Sequence, residues 1–248
     1  MERYRQISDR LLRCRHAVAL TGAGISVESG IPDFRSETGL WSKYDPMEFG
    51  HIESFRASPA KVWKMLSEMD RLLSKARPNV AHFALADLEA RGILKAVITQ
   101  NVDSLHQRAG SRAVIEFHGH NRELRCDGCG KHFLRETISL KELPPRCPCG
   151  DPLRPDIVFF GENIPPEAHR QAVAAAGECD LMLVVGTSAT IAPASYLPVI
   201  AKKKGAFLLE INPAVTELSG RMIDFRIAEP AGKALAGLVA ALDKKGLS

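Results

Sequence analysis

The amino-acid sequence predicts an α/β fold, in which a doubly wound parallel sheet carries a smaller inserted domain. Short apolar segments alternate along the chain with segments of helical periodicity, which is typical of parallel strands joined by covering helices. The apolar segments lack polar alternation, as expected for strands that helices cover on both faces. The chain has 248 residues, of which 45% are hydrophobic and 25% charged. This composition is typical of globular proteins, and a chain of this length can bury a large core.

The predicted elements follow one another in a regular order. One helix is predicted over residues 79–90, because Asn79 is a favourable cap at its start and Gly92 follows its end. The other predicted helices of this alternation cover residues 3–14 and 231–244. The predicted strands cover residues 17–20, 96–99, 114–117, 181–185 and 206–211.

Two stretches interrupt the alternation. Residues 36–77 have a helical pattern around Trp63 but no candidate for a parallel strand, and residues 120–154 combine four cysteines with proline and glycine. We expect both to be insertions that together form the small domain. The predicted division has a main domain of residues 1–35, 78–119 and 155–248, a helical module of residues 36–77 and a cysteine-rich module of residues 120–154.

The charge of the chain argues against a nucleic-acid partner. Lysine and arginine number 33 against 29 acidic residues, a net charge of +4, which is too mild for a basic binding surface. The first residues are charged and lack the apolar core of a signal peptide, and no apolar run approaches the roughly 20 residues that span a bilayer. We therefore expect a soluble, cytoplasmic monomer that contacts neither nucleic acid nor membrane directly.

Four of the six cysteines lie within 24 residues and form the pairs Cys126/Cys129 and Cys147/Cys149. Four thiolates complete the tetrahedral coordination of zinc and leave no position for a substrate water, so a structural zinc ion is predicted. Two disulfides are an alternative that the missing secretory signal disfavours, and an iron–sulfur cluster is a second one. The two cysteines outside the cluster are predicted to be packing residues: Cys14 and Cys179.

The first predicted strand ends in a Gly-x-Gly loop that contains Gly22, Ala23 and Gly24. Glycine permits a tight turn and a close approach of the backbone to phosphate, and a following helix would present free N–H groups. The third glycine of the dinucleotide-binding pattern is replaced by Val27, so the loop alone is a weak signal. No acidic residue ends the next strand to hold a ribose hydroxyl, which argues against an ordinary dehydrogenase.

Further polar residues are expected at the carboxyl edge of the sheet, where open α/β sheets bind ligands. Asn101 and Asp103 follow the strand 96–99. They either bind a ligand or cap a short helix. His118 follows another strand at the mouth of the cysteine-rich insertion, and histidine is a general base near neutral pH. Asp33 and Arg35 offer a hydrogen-bond acceptor and a phosphate partner, or form an ion pair in a surface turn.

Seven motifs occur together in one order along the chain. They are Gly22-Ala23-Gly24-Ile25-Ser26, Gly30-Ile31-Pro32-Asp33-Phe34-Arg35, Thr99-Gln100-Asn101-Val102-Asp103, His118-Gly119, the two cysteine pairs, Phe160-Gly161-Glu162 and Gly186-Thr187-Ser188. Their order and spacing resemble the sirtuins, the NAD-dependent protein deacylases, from about residue 8 to residue 240. The resemblance implies a Rossmann-type large domain and a small domain built from a helical module and a zinc ribbon. NAD and an acyl-lysine peptide would enter the cleft between the two domains.

The resemblance also implies roles for individual residues. His118 would be the general base, Asn101 would order the ribose and water, and Asp103 would hold the nicotinamide carboxamide. The implied catalytic residues are therefore His118 and Asn101, and the implied ligands of one structural zinc ion are Cys126, Cys129, Cys147 and Cys149. The implied NAD-binding residues are Gly22, Ala23, Gly24, Ser26, Asp33, Phe34, Arg35, Trp41, Gln100, Asn101, Val102, Asp103, Gly186, Thr187, Ser188, Asn212 and Ala228. The implied peptide-binding residues are Val158, Phe159, Phe160, Gly161 and Glu162.

The implied reaction transfers the acetyl group of a protein acetyl-lysine to ADP-ribose and releases nicotinamide and O-acetyl-ADP-ribose. Relatives that prefer succinyl or malonyl groups carry a tyrosine and an arginine where this chain has Leu66 and Met69. Both residues are apolar, so we expect deacetylation, with longer neutral acyl groups as an alternative. The competing hypotheses are an ADP-ribosyltransferase that uses the same pocket and a zinc-ribbon DNA-binding protein with a nucleotide pocket. His118 and Phe160-Gly161-Glu162 favour deacylation over the first, and the mild charge disfavours the second.

Overall fold

The structure is a computed structural model that describes residues 2–33 and 39–246. Within these ranges no helix is both long and apolar enough to cross a membrane. The helices are α1 (Glu2–Arg13), α2 (Leu40–Lys43), α3 (Pro46–Phe49), α4 (Ile52–Ala57), α5 (Pro59–Lys75), α6 (Val80–Ala90), α7 (Leu105–Arg108), α8 (Pro166–Glu178), α9 (Tyr196–Lys203) and α10 (Ala231–Asp243). The strands are β1 (Ala17–Thr21), β2 (Leu94–Thr99), β3 (Val114–Glu116), β4 (Gly119–Cys126), β5 (His132–Leu134), β6 (Leu153–Ile157), β7 (Leu181–Val185), β8 (Phe207–Ile211) and β9 (Phe225–Ile227).

The large sheet of the described chain has six strands in the order β3-β2-β1-β7-β8-β9, and all neighbouring pairs are parallel. Successive residues of β1 enter different cores, because side chains alternate between the faces of a strand. Ala19 packs in a cluster with residues of α1, α6 and α10, whereas Leu20 packs in a second cluster with residues of α8 and α9. Helices therefore cover both faces, and the predicted doubly wound α/β fold is confirmed.

The small sheet of the described chain is antiparallel, has the order β5-β4-β6 and shares a third core with the helical insertion. Trp63 of α5 is fully buried in this core, and its indole N–H donates to the backbone oxygen of Leu153, 2.7 Å away. The two inserted stretches thus pack on each other. Their assignment to one small domain stays a proposal. Strand β6 runs across residue 154, where the sequence analysis ended the cysteine-rich module.

The main domain differs from the sequence-based expectation after β1 and at its edge. The loop after β1 forms two single turns of 3-10 helix, Ala23–Ile25 and Val27–Ser29, so the expectation of a full helix there was wrong. Gly30 ends the second turn with a left-handed φ of 82°, and Pro32 follows, which leaves too few residues for a helix. The short edge strand β9 was not predicted at all.

The two isolated cysteines lie at the ends of helices. Cys179 follows α8 and is buried in one core, and Cys14 follows α1 at the border of the other. Burial raises the pKa of the Cys14 thiol to about 11 and that of the Cys179 thiol to about 12. Both remain protonated near neutral pH, which agrees with a packing role.

Candidate functional site

A cavity of about 860 Å³ opens where the carboxyl ends of β1, β2 and β7 face the small sheet. The chain runs outward from β1 in one direction to β2 and β3, and in the other direction from β7 to β8 and β9. The gap between β1 and β7 is therefore a topological switch point, where open α/β sheets bind their ligands.

The cavity brings together most of the residues that the sequence implicated. Its lining includes Gly22, Ala23, Gly24, Asp33, Trp41, Gln100, Asn101, Val102, His118, Val158, Phe159, Phe160, Gly161, Glu162, Gly186, Thr187, Ser188 and Asn212. Ser26 and Asp103 line a smaller pocket that shares Ala23 and Asn101 with the cavity. Ala228 is exposed beyond β9 and does not line the cavity. Phe34 and Arg35 lie outside the described residues.

The loops after β1 and β7 form one wall of the cavity by direct backbone contact. The amide of Gly24 donates to the carbonyl oxygen of Gly186, 2.8 Å away. A Cβ atom on Gly24 would lie 2.7 Å from the Cα of Gly186, so no larger residue fits there. The amides of Gly24, Ile25 and Ser26 are all bonded within the protein, which leaves Ala23 as the main candidate of this loop for contacting phosphate.

Asn101 lies at the floor of the cavity and belongs to a polar network. Its Nδ2 donates to the carbonyl oxygen of Gly22 at 3.2 Å and to the hydroxyl of Ser26 at 3.1 Å. Nearby, Nε2 of Gln100 donates to the hydroxyl of Thr187, 2.9 Å away. These bonds fix the side chains after β2 against both loops of the wall.

Asp103 makes two hydrogen bonds within the protein. One carboxylate oxygen accepts from the backbone N–H of Leu105, the first residue of α7, at 2.9 Å. The other accepts from the hydroxyl of Ser26 at 2.7 Å inside the smaller pocket. Burial raises the pKa of Asp103, while the hydrogen bonds from Leu105, Ser26 and Asn101 oppose that rise. The carboxyl group is therefore a partly desolvated partner for a polar ligand group.

His118 is oriented for general-base catalysis. Its Nδ1 lies 3.1 Å from the backbone oxygen of Gln100. A carbonyl oxygen only accepts hydrogen bonds, so Nδ1 carries the proton and Nε2 holds the free electron pair. Burial lowers the pKa of His118. The imidazole is thus neutral at pH 7 and can take a proton from a group in the cavity.

Two histidines that the sequence reasoning did not assign to the site lie directly behind it. His82 and His106 are fully buried, and their ring centroids are 4.9 Å apart. Nε2 of His82 lies 3.5 Å from the hydroxyl of Ser26, and Nε2 of His106 lies 3.0 Å from that of Thr21. Burial lowers the pKa of His82 to about 4 and that of His106 to about 3, so both are neutral. They support the floor of the site without charge.

The segment after β6 forms the opposite wall. The backbone N–H of Val158 donates to the carbonyl oxygen of His118 at 2.9 Å. Phe160 donates to Gly50 at 2.9 Å and accepts from Ile52 at 3.0 Å, so its backbone groups are used inside the protein. The carboxylate of Glu162 accepts from the N–H of Phe159 at 3.0 Å, and this bond fixes the conformation of the segment.

The sulfur atoms of Cys126, Cys129, Cys147 and Cys149 lie within 4.8 Å of one another, with two pairs at 3.5 Å. Zinc bound to thiolates at about 2.3 Å in a tetrahedron separates the sulfurs by about 3.8 Å, so the donor set fits this ion. All four thiols are free, so the disulfide alternative is not realised. None of the four cysteines lines the cavity, which agrees with a structural ion.

One end of the cavity is apolar. Met65, Leu66 and Met69 of α5 line it together with Trp41, whose ring centroid lies 6.1 Å from that of Phe160. No lysine or arginine is found among the described residues that line the cavity. An uncharged group would be accommodated at this end, whereas a carboxylate would lose its hydration without gaining a cation.

Known proteins with similar sequences and structures are found for almost the whole chain. The model of the Sir2 family matches residues 22–193. The chain is 47% identical over 227 residues to NAD-dependent protein deacylase 2 of Pyrobaculum aerophilum, with 90% of this chain and 91% of the relative covered. It is 45% identical over 228 residues to NAD-dependent protein deacylase 1 of Archaeoglobus fulgidus, with 91% and 92% covered.

Solved structures show the same similarity. A Sir2 homologue in complex with NAD superposes with a TM-score of 0.90 at 42% identity, with 98% of this chain and 94% of that chain covered. A Sir2 variant with a deacetylated p53 peptide and 3′-O-acetyl ADP-ribose superposes with a TM-score of 0.92 at 37% identity, with 98% of both chains covered.

Proposed function

The chain belongs to the Sir2 family, and on this basis we propose that it is an NAD-dependent protein lysine deacetylase. It transfers the acetyl group from acetyl-lysine to ADP-ribose and releases nicotinamide and O-acetyl-ADP-ribose. The observation that carries the proposal is the neutral imidazole of His118, whose free Nε2 is available as a base between the Gly24–Gly186 wall and the wall after β6.

The reaction begins when the acetyl oxygen attacks C1′ of the nicotinamide ribose and the bond to nicotinamide breaks. In water the acetyl oxygen is a weak nucleophile and nicotinamide leaves slowly. Much of the rate enhancement therefore comes from aligning the two reactants in a cavity that excludes solvent. Nε2 of His118 then takes the proton of a ribose hydroxyl, whose oxygen attacks the imidate carbon. Addition of water completes the release of the lysine and leaves the acetyl group on ADP-ribose.

We assign the remaining site residues to the two substrates. Ala23 and the loop Gly186–Ser188 bind the phosphates, and Asn212 at the far end of the cavity binds the adenosine ribose. Asn101 orders the nicotinamide ribose, and Asp103 in the smaller pocket holds the carboxamide. These assignments are supported by the convergence of the named residues on one connected space.

The second substrate is an acetylated lysine in a protein segment. Two solved relatives contain a p53 peptide, one of them together with NAD. The segment Val158–Glu162 faces the stretch after Ser188 across the cavity, so an extended peptide could lie between them as an added strand. In this binding mode the enzyme recognises the peptide mainly through main-chain hydrogen bonds, which agrees with a broad range of protein substrates.

The apolar end of the cavity supports a preference for neutral acyl groups. Leu66 and Met69 line this end, and they are the positions where the family resemblance implies a tyrosine and an arginine for negatively charged acyl groups. We expect acetyl groups to be removed much faster than succinyl groups from the same peptide. Equal rates for the two peptides would contradict the assignment of Leu66 and Met69 to the acyl-binding end.

The cysteines and the mild charge complete the proposal. No disulfide forms among the described residues, which supports a reducing compartment such as the cytoplasm. The net charge of +4 gives no reason to invoke a nucleic-acid partner. We propose that the enzyme acts as a cytoplasmic monomer with one structural zinc ion.

The test is incubation of the purified protein with an acetyl-lysine peptide and NAD labelled in the adenosine moiety, followed by mass measurement of all products. We expect one nicotinamide and one O-acetyl-ADP-ribose for each lysine released, and no turnover by His118→Ala. Label that accumulates covalently on protein, without O-acetyl-ADP-ribose, would instead identify an ADP-ribosyltransferase.

A further inference from the structure

Four side chains with metal-binding groups converge on the small sheet, apart from the cysteine cluster. A ring nitrogen of His120 and carboxylate oxygens of Glu123 and Asp156 lie within 4.8 Å of one another. Nδ1 of His132 lies 3.1 Å from Oε2 of Glu123 and 3.9 Å from Oδ2 of Asp156. The four residues come from all three strands of this sheet: β4, β5 and β6.

The backbone holds these side chains together. His120 is directly opposite Asp156 in the antiparallel pairing of β4 with β6. The strands approach so closely here that a Cβ on Gly119 would lie 2.2 Å from the carbonyl oxygen of Asp156, and Gly119 has a left-handed φ of 75°. An irregularity in the register between His120 and Leu124 then turns Glu123 toward the same group.

His120 supplies a second, independent observation. Its Nδ1 is buried and has no hydrogen-bond partner among the described residues. Buried polar nitrogens are normally satisfied, and an exception calls for a missing partner such as an ion. His120 has no part in the catalytic mechanism, since the base is His118 two residues earlier.

The charges around the cluster favour a cation. In the part of the chain that the structure describes, the carboxylate of Glu123 forms an ion pair with His132 and with no lysine or arginine. Asp156 lies 3.3 Å from Arg125, but that guanidinium group also faces Asp127 and Glu162. Arg154 also pairs with Asp127 and Glu162, so two arginines face these three carboxylates, and the cluster retains negative charge.

We propose that His120, Glu123, His132 and Asp156 bind a second divalent transition-metal ion, separate from the zinc ion of the four cysteines. Two imidazole nitrogens and two carboxylate oxygens suit zinc and its first-row neighbours, whereas magnesium and calcium prefer oxygen ligands alone. The bound ion would link the three strands of the small sheet beside His118.

The experiment titrates Zn²⁺ into protein that already carries its cysteine-bound zinc, with calorimetry and elemental analysis as readouts. We expect the bound zinc to rise from one to two ions per chain and the melting temperature to rise with added Zn²⁺. The double variant His120→Ala/His132→Ala should keep one zinc ion and lose the second. The matched control His16→Ala, which removes a histidine far from the small sheet, should bind two.

The outcomes separate the alternatives. A second ion that the double variant still binds with unchanged affinity would place that ion elsewhere and overturn the proposal. Absence of a second ion in the unmodified protein at saturating Zn²⁺ would overturn it as well. If the double variant loses its first zinc and unfolds, the test is repeated with Glu123→Gln. A decrease of less than about tenfold in the affinity of that variant for the second ion would overturn the proposal.

Discussion

The two sheets of this enzyme are stabilised in different ways. Each strand residue of β1 and β7 is buried, and helices cover the large sheet on both faces. The small sheet instead has short strands, exposed residues on β5 and a metal site of four thiols at its edge. Apolar burial beneath helices on both faces therefore stabilises the large sheet, which carries the proposed NAD-binding wall. The small sheet, which carries the proposed peptide-binding wall, combines one shared apolar core with ion pairs and the proposed metal ion. The two walls should respond separately to mutation.

The largest effect is expected from Cys126→Ser, because Cys126 is a buried ligand of the proposed zinc site. Structural zinc contributes roughly 10–16 kcal/mol in small zinc-binding peptides, so its loss should unfold the small sheet. We expect the zinc content to fall to zero and deacetylation to disappear. Circular dichroism should still show the helices of the large domain. A zinc-free variant with normal activity would contradict the comparison.

A smaller effect is expected from Arg154→Met, which removes an almost fully buried guanidinium group. Arg154 pairs with Asp127 beside the zinc-binding cysteines at 2.8 Å and with Glu162 of the peptide-binding wall at 2.5 Å. Removing one partner of a buried ion pair costs about 3–5 kcal/mol. Since Asp127 is 44% exposed, the lower end applies. The KM for peptide should rise more than the KM for NAD, and equal increases in both would show that the walls are not independent.

The reverse test alters the large sheet. Leu183 in the middle of β7 is fully buried, and Leu183→Ala should lower the free energy of unfolding by about 2–5 kcal/mol. The control Val80→Ala changes an exposed residue of α6, which covers the same sheet, and should lie within about 0.5 kcal/mol of the unmodified protein. Denaturant titration measures both. Zinc content should stay at one ion per chain.

Acid should destabilise the large domain through His82. Its folded-state pKa of about 4 lies below the ordinary value of 6.5, so the unfolded chain binds more protons between these two values. The contribution of His82 to stability is therefore present above pH 6.5 and declines as the pH falls toward 4, by about 2 kcal/mol at pH 5. His106, whose pKa is about 3, adds a decline over the same range. The variant His82→Asn should lose correspondingly less stability between pH 7 and pH 5. An identical decline in both proteins would assign the acid sensitivity to other groups.

The last prediction concerns His118 and the pH dependence of the reaction rate, with little effect expected on stability. Burial lowers its pKa, and only the neutral imidazole accepts a proton. The kcat/KM for peptide should therefore fall on acidification with a midpoint below pH 6.5. Because kcat/KM reports groups of the free enzyme, a midpoint above pH 6.5 would contradict a base whose pKa is lowered by burial.

The contrast between the sheets also explains what the sequence could predict. The strands β1, β2, β7 and β8 were identified because burial on both faces makes them short apolar runs. In the small sheet, charged and partly exposed residues such as Glu123 and Arg125 interrupt the apolar pattern and the register is irregular, so β4 to β6 left no comparable signal. The edge strand β9 is short and contains Arg226, and it was missed for a similar reason.

The site residues, too, were only partly predictable from the sequence. His118 was found because it follows a strand and precedes the cysteine module. His82 was missed because a histidine in a helix gives no sign that it will be buried against Ser26. The contact between Gly24 and Gly186 joins residues far apart in the chain, and only the parallel pairing of β1 with β7 brings them together.

The bond between the indole of Trp63 and the carbonyl oxygen of Leu153 joins residues 90 positions apart. During synthesis, at 5–20 residues per second, α5 therefore leaves the ribosome roughly 5–20 s before its packing partner does. Throughout that interval the apolar side of α5, with Trp63 at its centre, has no cover from the small sheet. The nascent chain thus passes through a stage at which chaperones and proteases can reach this helix, and the interval closes when β6 emerges and docks on it.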